Sequence, residues 1–126
     1  MKIADDYYHI IDVMDDEVPT VGRVREKLAP FKTYLKEQYK VKQLWVFGSV
    51  SKGESTLESD IDIRVEIGEG GKGIAFWSLW MFLEAALGRK IDLSEKWGRS
   101  DESDFVKRIK PDLILVLDAL NKLAAA

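Results

Sequence analysis

Two aspartates, Asp60 and Asp62, lie two positions apart in an alternating segment, and Asp92 occupies the matching position of a second such segment. On a β-strand, side chains two positions apart project to the same face, so these carboxylates would lie close together. Neighbouring carboxylates repel one another unless a cation lies between them, and Mg²⁺ prefers carboxylate oxygens while sharing its other positions with water and phosphates. Three carboxylates on adjacent strands could hold two ions about 4 Å apart, which stabilises the attacking and leaving oxygens of a phosphoryl displacement.

We therefore predict that Asp60, Asp62 and Asp92 are metal ligands and catalytic residues. Asp60 and Asp62 would hold the ion that binds the nucleotide, and Asp92 would help the second ion and take the proton from an attacking hydroxyl. Taken alone, an Asp-x-Asp sequence on an alternating strand is most often a solvated face. A second motif upstream makes the functional interpretation the stronger one.

That second motif is a polar turn after the apolar run 44–47. Gly48-Ser49 stands where this buried strand turns toward a helix, so backbone N–H groups and the Ser49 hydroxyl can point at a triphosphate. A side chain at position 48 would block close approach of the phosphates. Lys52 and Gly53 extend the same turn.

Hydrophobic periodicity predicts the elements that position these residues. Helical spacing begins after Thr20, a predicted N-cap, and Pro30 predicts a kink or two helices with the proline in the first turn of the second. Strands are predicted at 44–47, 60–67 and 90–94. Helices are predicted at 76–87, ended by Gly88, and near 105–109, whereas 113–117 stays open between a strand and a helical turn.

Length and composition predict a single domain. A chain of 126 residues with 46% apolar residues can build one core, and 19 Lys and Arg against 22 Asp and Glu do not favour nucleic acid as a main partner. The sequence has no cysteine, no signal peptide and no apolar run of about 20 residues, so a cytoplasmic protein is expected. We predict an N-terminal arm or short helix at 1–19, the catalytic domain at 20–121 and a vector-derived tail at 122–126.

Three motifs together, GSVSKG at 48–53, SDIDI at 59–63 and LGRKIDL at 87–93, resemble the minimal nucleotidyltransferases of the DNA-polymerase-β-like superfamily. The resemblance runs from about Phe31 to Leu93. It implies an α/β (α+β) fold with a palm-like mixed sheet of three to four strands flanked by helices, and Mg²⁺-dependent transfer of a nucleotidyl group, usually AMP from ATP, to a hydroxyl. It also implies nucleotide binding by Gly48, Ser49, Lys52, Gly53 and Ser59.

The same resemblance implies a partner. Many of these proteins are antitoxins that silence a helical HEPN ribonuclease, either by adding AMP to a tyrosine or by binding the toxin. A HEPN-type partner and a homo- or hetero-oligomer are therefore expected for this chain.

This sequence departs from the family pattern at the turn and on the acidic face. Val50 and Ser51 stand where Arg and Ala are common, which removes a phosphate-reaching cation. Arg64 shares the carboxylate face, where it could contact phosphate or pair with Asp62.

Two functions stay open: an active nucleotidyltransferase, or a nucleotide-binding antitoxin or regulatory module that acts by complex formation. A sugar or aminoglycoside acceptor is disfavoured because no second domain is available to form its pocket.

Other motifs favour weaker interpretations. The glycines at 68–73 have the spacing of a dinucleotide-binding loop, but the chain is too short for the usual two-half domain, and a simple loop is the plainer interpretation. Glu54 occupies the lysine position of a P-loop and would repel phosphate, which excludes that motif.

His9 has no second imidazole and is expected to be structural or exposed. The aromatic helix at 76–87 is expected to be core, with a partner surface as the alternative.

Overall fold

The computed structural model describes residues 17–69, 74–96 and 103–120. Residues 1–16 of the predicted arm 1–19, with His9, lie outside these ranges, as do the glycines at 70–73 and the predicted tail at 122–126. The α-helices are α1 (Val21–Leu28), α2 (Lys32–Tyr39), α3 (Gly48–Lys52), α4 (Ile74–Leu87) and α5 (Asp104–Ile109). The strands are β1 (Val41–Phe47), β2 (Ile61–Ile67), β3 (Ile91–Glu95) and β4 (Ile114–Asp118).

The first two helices form around a predicted cap and a predicted break. The Thr20 hydroxyl accepts a hydrogen bond from the Arg23 N–H at 3.2 Å, which confirms Thr20 as the N-cap of α1. Pro30 separates two helices as expected, but it lies in a 3₁₀ turn, Ala29–Phe31, that links them rather than in the first turn of α2. The proline has no N–H to donate, so a short 3₁₀ turn accommodates it better than a continuous α-helix.

The four strands form one mixed sheet in the order β3-β2-β1-β4. β1 is antiparallel to both of its neighbours, whereas β2 and β3 are parallel and are joined through α4. The segment that periodicity left open, 113–117, is the edge strand β4, because it pairs with β1. This mixed sheet flanked by helices confirms the predicted α/β fold.

One face of the sheet carries the core. Strand residues such as Leu44, Ile63 and Leu93 are buried there against apolar side chains of α1, α2 and α4. Alternation along β2 places Asp62 and Arg64 on the other face. Helices α1, α2 and α4 therefore cover one side of the sheet and leave the carboxylate side for the functional site.

The aromatic helix is mostly core, as periodicity predicts. In α4, Leu79, Phe82 and Leu83 are buried, while Trp77 is 63% exposed. A partner surface at Trp77 stays a prediction. Within the described ranges, the structure contains no helix that is long and apolar enough to span a membrane.

Candidate active site

The three predicted aspartates converge at the ends of two neighbouring parallel strands. Asp62 on β2 pairs directly with Asp92 on β3, and Asp62 also lies opposite Phe47, the last residue of β1. Asp60 was predicted to be in the strand, but β2 begins at Ile61, so Asp60 lies in the connection just before it. The side chains of Asp60 and Asp92 are exposed, and that of Asp62 is partly buried.

The carboxylates repel one another. Burial raises the pKa of Asp62 above its ordinary value of 3.8, and the nearby charges of Asp92 and Asp60 raise it further. Whether Arg64 pairs with Asp62 stays a prediction. The site thus concentrates negative charge that a cation would relieve.

The turn after β1 approaches Asp62 closely. Gly48 begins α3 with a left-handed φ of 66°, and a Cβ at this position would overlap the Asp62 carboxylate oxygen Oδ2. Only glycine therefore allows the strand to turn here without displacing that carboxylate. In the first turn of the short helix α3, the Ser51 hydroxyl donates a hydrogen bond to the Gly48 carbonyl at 2.9 Å.

The other predicted nucleotide-binding residues surround this turn. Ser49 lies in the first turn of α3, and Gly53 ends the helix with a φ of 70°. The Lys52 ammonium lies 3.7 Å from a carboxylate oxygen of Asp112, and both side chains are partly exposed. The Ser59 hydroxyl accepts a hydrogen bond from the Thr56 N–H at 2.8 Å, so it shapes the turn that leads to Asp60. Contact of these residues with nucleotide stays a prediction.

The middle of the carboxylate face is more closed than the sequence indicates. Arg64 is only 3% exposed, and in the sheet it lies between Trp45 and Ser94. Beside them, the Lys96 ammonium lies 5.4 Å from the centre of a Trp45 ring and 3.2 Å from a Glu66 carboxylate oxygen. The exposed carboxylates of the site therefore lie at one end of this face, next to Gly48.

Two functional features were missed at the sequence level. Phe105 on α5 meets the ring of Phe47 edge to face at a centroid distance of 5.9 Å, so α5 borders the site. Arg89 is 6% exposed and donates hydrogen bonds to backbone carbonyls of the connection before Asp60. Its place in the LGRKIDL motif is the signal that could have indicated it, although sequence alone does not predict a buried guanidinium.

The donor set suits a hard divalent cation. Three carboxylates are close enough to perturb one another, and oxygen-rich sites of this kind are the ones that Mg²⁺ prefers. Among the residues that the structure describes, no group of three His, Cys, Asp or Glu side chains is placed so that it could hold a metal ion by itself. Mg²⁺ commonly completes its coordination with water and substrate phosphates, so an open set is compatible with it.

Comparison with known proteins identifies the family. The family model described as polymerase beta, nucleotidyltransferase, matches residues 30–119. A Methanocaldococcus jannaschii protein named "Putative protein adenylyltransferase MJ1379" is 42% identical over 100 residues, which cover 77% of this chain and 98% of the relative. The protein adenylyltransferase MntA of Thermococcus cleftensis is 33% identical over 97 residues, which cover 77% of this chain and 96% of that protein.

Solved structures share the fold. A crystal structure of a toxin-antitoxin with AMP-PNP matches this chain with a TM-score of 0.58 at 24% identity. The match covers 80% of this chain and 77% of the chain in that structure. A structure of a tri-AMPylated Shewanella oneidensis HEPN toxin in complex with MNT antitoxin matches with a TM-score of 0.54 at 21% identity. That match covers 79% of this chain and 73% of the matched chain. The family model and the named relatives show that the chain is a nucleotidyltransferase. The chain belongs to the polymerase beta nucleotidyltransferase family, as its motifs predict.

Proposed function

We propose that this protein transfers AMP from ATP to a hydroxyl of a partner protein, in the manner of an antitoxin that modifies a HEPN-type toxin. The observation that carries the proposal is the pairing of Asp62 with Asp92 across β2 and β3, with Gly48 set against the Asp62 carboxylate. The names of the relatives support protein adenylylation, and the relatives match over nearly their whole length.

In the proposed reaction, the acceptor oxygen forms a bond to the α-phosphorus of ATP while the bond to the bridging oxygen breaks and pyrophosphate leaves. The hydroxyl proton passes to the carboxylate of Asp92, which is exposed and can meet an incoming acceptor. Bound Mg²⁺ would supply charge neutralisation of the phosphate oxygens, with Asp60, Asp62 and Asp92 as its ligands.

The phosphates would lie over the start of α3. The Ser49 hydroxyl, the backbone N–H groups of the turn and the Lys52 ammonium would supply donors there, and the missing Cβ of Gly48 leaves room for the Asp62 carboxylate beside the turn. Val50 is 2% exposed and packs in the core, so it offers nothing to the phosphates. Lys52 is therefore the cation we assign to phosphate binding in this turn.

Labelled ATP tests the proposal directly. The protein is incubated with Mg²⁺, with ATP labelled at the α- or the γ-phosphate, and with the protein encoded by the neighbouring reading frame. We expect label from the α-position alone to move to that partner, and to be lost in Asp60→Asn, Asp62→Asn and Asp92→Asn. Glu37→Gln is the matched control, since it removes an exposed carboxylate from α2, outside the site.

The same experiment separates catalysis from binding alone. A partner that co-purifies stably with this protein but receives no label would contradict adenylylation and support the antitoxin that acts by complex formation. Transfer of label that persists undiminished in all three aspartate variants would contradict the assignment of the site.

A further inference from the structure

A buried guanidinium holds the connection that precedes Asp60. Arg89 is 6% exposed and stands three residues before Asp92. Its Nη1 donates to the carbonyls of Leu57 and Ser59, the latter at 3.3 Å, and its Nη2 donates to the carbonyl of Glu17 at 2.8 Å. One planar group therefore joins the segment that leads into β3 and Asp92 to the loop that precedes Asp60.

The next residue holds the other side of Asp60. The Ile61 N–H donates to the Lys90 carbonyl at 3.1 Å, where the parallel pairing of β2 and β3 begins. The consecutive residues Arg89 and Lys90 thus bind the carbonyl just before Asp60 and the N–H just after it. Asp62 differs, because it lies inside β2 and is paired to both neighbouring strands.

The chemistry of Arg89 suits this task. A planar guanidinium presents several N–H donors in fixed directions, so it can serve carbonyls from two segments at once, which a lysine ammonium on its flexible stem does less well. The cavity beside it, bordered by Arg23, Lys27 and Leu87, has room for about one water molecule and cannot admit a phosphate. Arg89 therefore acts on the backbone rather than on a ligand in that cavity.

We propose that Arg89 is a positioning residue: its guanidinium fixes the backbone before Asp60, it holds in place the adjoining Lys90 carbonyl that binds the N–H after Asp60, and so it directs this carboxylate toward the Asp62–Asp92 pair. The inference rests on the proposed function, in which Asp60 is a metal ligand. Arg89 itself does not contact the nucleotide in this proposal. Its effect on metal binding and transfer is transmitted through Asp60.

Arg89→Lys tests the inference, with Lys27→Gln as the matched control. Lys27 lies at the same cavity but donates to the Leu87 carbonyl at 3.0 Å, away from the connection before Asp60. In the protein without nucleotide, we expect Arg89→Lys to speed hydrogen exchange at the Ile61 amide and to weaken Mn²⁺ binding, measured by calorimetry, by about 10-fold or more. Lys27→Gln should leave both quantities near the wild-type values.

A folded Arg89→Lys protein with wild-type exchange at Ile61 and wild-type Mn²⁺ affinity would overturn the proposal. The double variant adds a second test, because Arg89→Lys combined with Asp60→Asn should bind Mn²⁺ no more weakly than Asp60→Asn alone. A further loss in the double variant would show that Arg89 acts independently of Asp60, against the proposal. If wild-type protein neither binds Mn²⁺ nor transfers label, the proposed function fails, while the exchange at Ile61 still decides whether Arg89 holds the backbone.

Discussion

Asp62 on β2 and Asp92 on β3 face each other directly in the parallel register of the sheet. Parallel strands that start side by side bring their first exposed side chains to the same edge of the sheet. The carboxylates of Asp62 and Asp92 therefore lie next to each other, close to Asp60, which directly precedes β2. The fold gains no stability from this arrangement, because like charges at short distance repel one another. Such a cost is expected at a functional site.

Removing the charge of Asp62 should stabilise the protein without metal. Its pKa in the folded state is raised above 3.8, so the folded state retains the proton longer than the unfolded chain as pH rises. Stability from this group therefore falls as pH rises from about the unfolded value through the folded one, and at pH 7 the ionised carboxylate is unfavourable. Asp62→Asn should raise the melting temperature at pH 7 in EDTA.

The metal provides the control for this prediction. Added Mg²⁺ should raise the melting temperature of the wild type more than that of Asp62→Asn, because binding to the folded state stabilises it. A variant that melts below the wild type in EDTA would contradict repulsion among the three carboxylates. Equal gains from Mg²⁺ in both proteins would argue against Asp62 as a ligand.

Tyr39 should make the core sensitive to alkaline pH. It is 6% exposed at the end of α2, and burial, followed by the effect of Tyr34, raises its pKa from 10.0 to about 12. The unfolded chain ionises first, so stability should be lost between pH 10 and pH 12 and should be unaffected by this group below pH 10. The free energy of unfolding should fall by roughly 1 kcal/mol more between pH 9 and pH 11 in the wild type than in Tyr39→Phe. Equal losses in urea titrations of both proteins would contradict this account.

Lys52 should affect ATP binding more than stability. Its pair with Asp112 joins partly exposed groups 3.7 Å apart and contributes less than about 1 kcal/mol. Lys52→Ala should raise the KM for ATP about tenfold, since a charge-assisted hydrogen bond to phosphate contributes roughly 1.5 kcal/mol, while the melting temperature changes little. Asp112→Asn is the matched control and should leave the KM unchanged or lower it. The same rise in both variants would assign the effect to the ion pair instead.

Much of this site could be predicted because its signals are local. Alternation from Ile61 to Ile67 predicts β2 and the face of Asp62, and the glycine after an apolar run predicts the close turn at position 48. Both depend on the period of a strand and on the absence of a side chain. Neither requires knowledge of distant parts of the chain.

The remaining features depend on contacts between distant segments. The run 113–117 becomes β4 only because β1 offers it a free edge, and the burial of Arg64 and Arg89 at 3% and 6% follows from how loops and strands meet. Charged residues are usually exposed, so composition predicts the opposite for both. Asp60 lies outside the strand for a related reason, since alternation does not show where pairing with a neighbour begins.

Gly48→Ala should abolish transfer, because a Cβ there would overlap the Asp62 carboxylate and because φ at this residue is +66°. Gly53→Ala is the matched control, since its φ is +70° but nothing lies within 4 Å of the added atom. Both variants should lose about 1 kcal/mol of stability from the left-handed backbone, measured by urea unfolding, with a greater loss at position 48. Labelled transfer should fall at least about 100-fold in Gly48→Ala, as misplacement of a reacting group predicts, and should fall less in Gly53→Ala. Equal activity of the two variants would show that glycine is required at position 48 because of the backbone conformation, and not because of the position of Asp62.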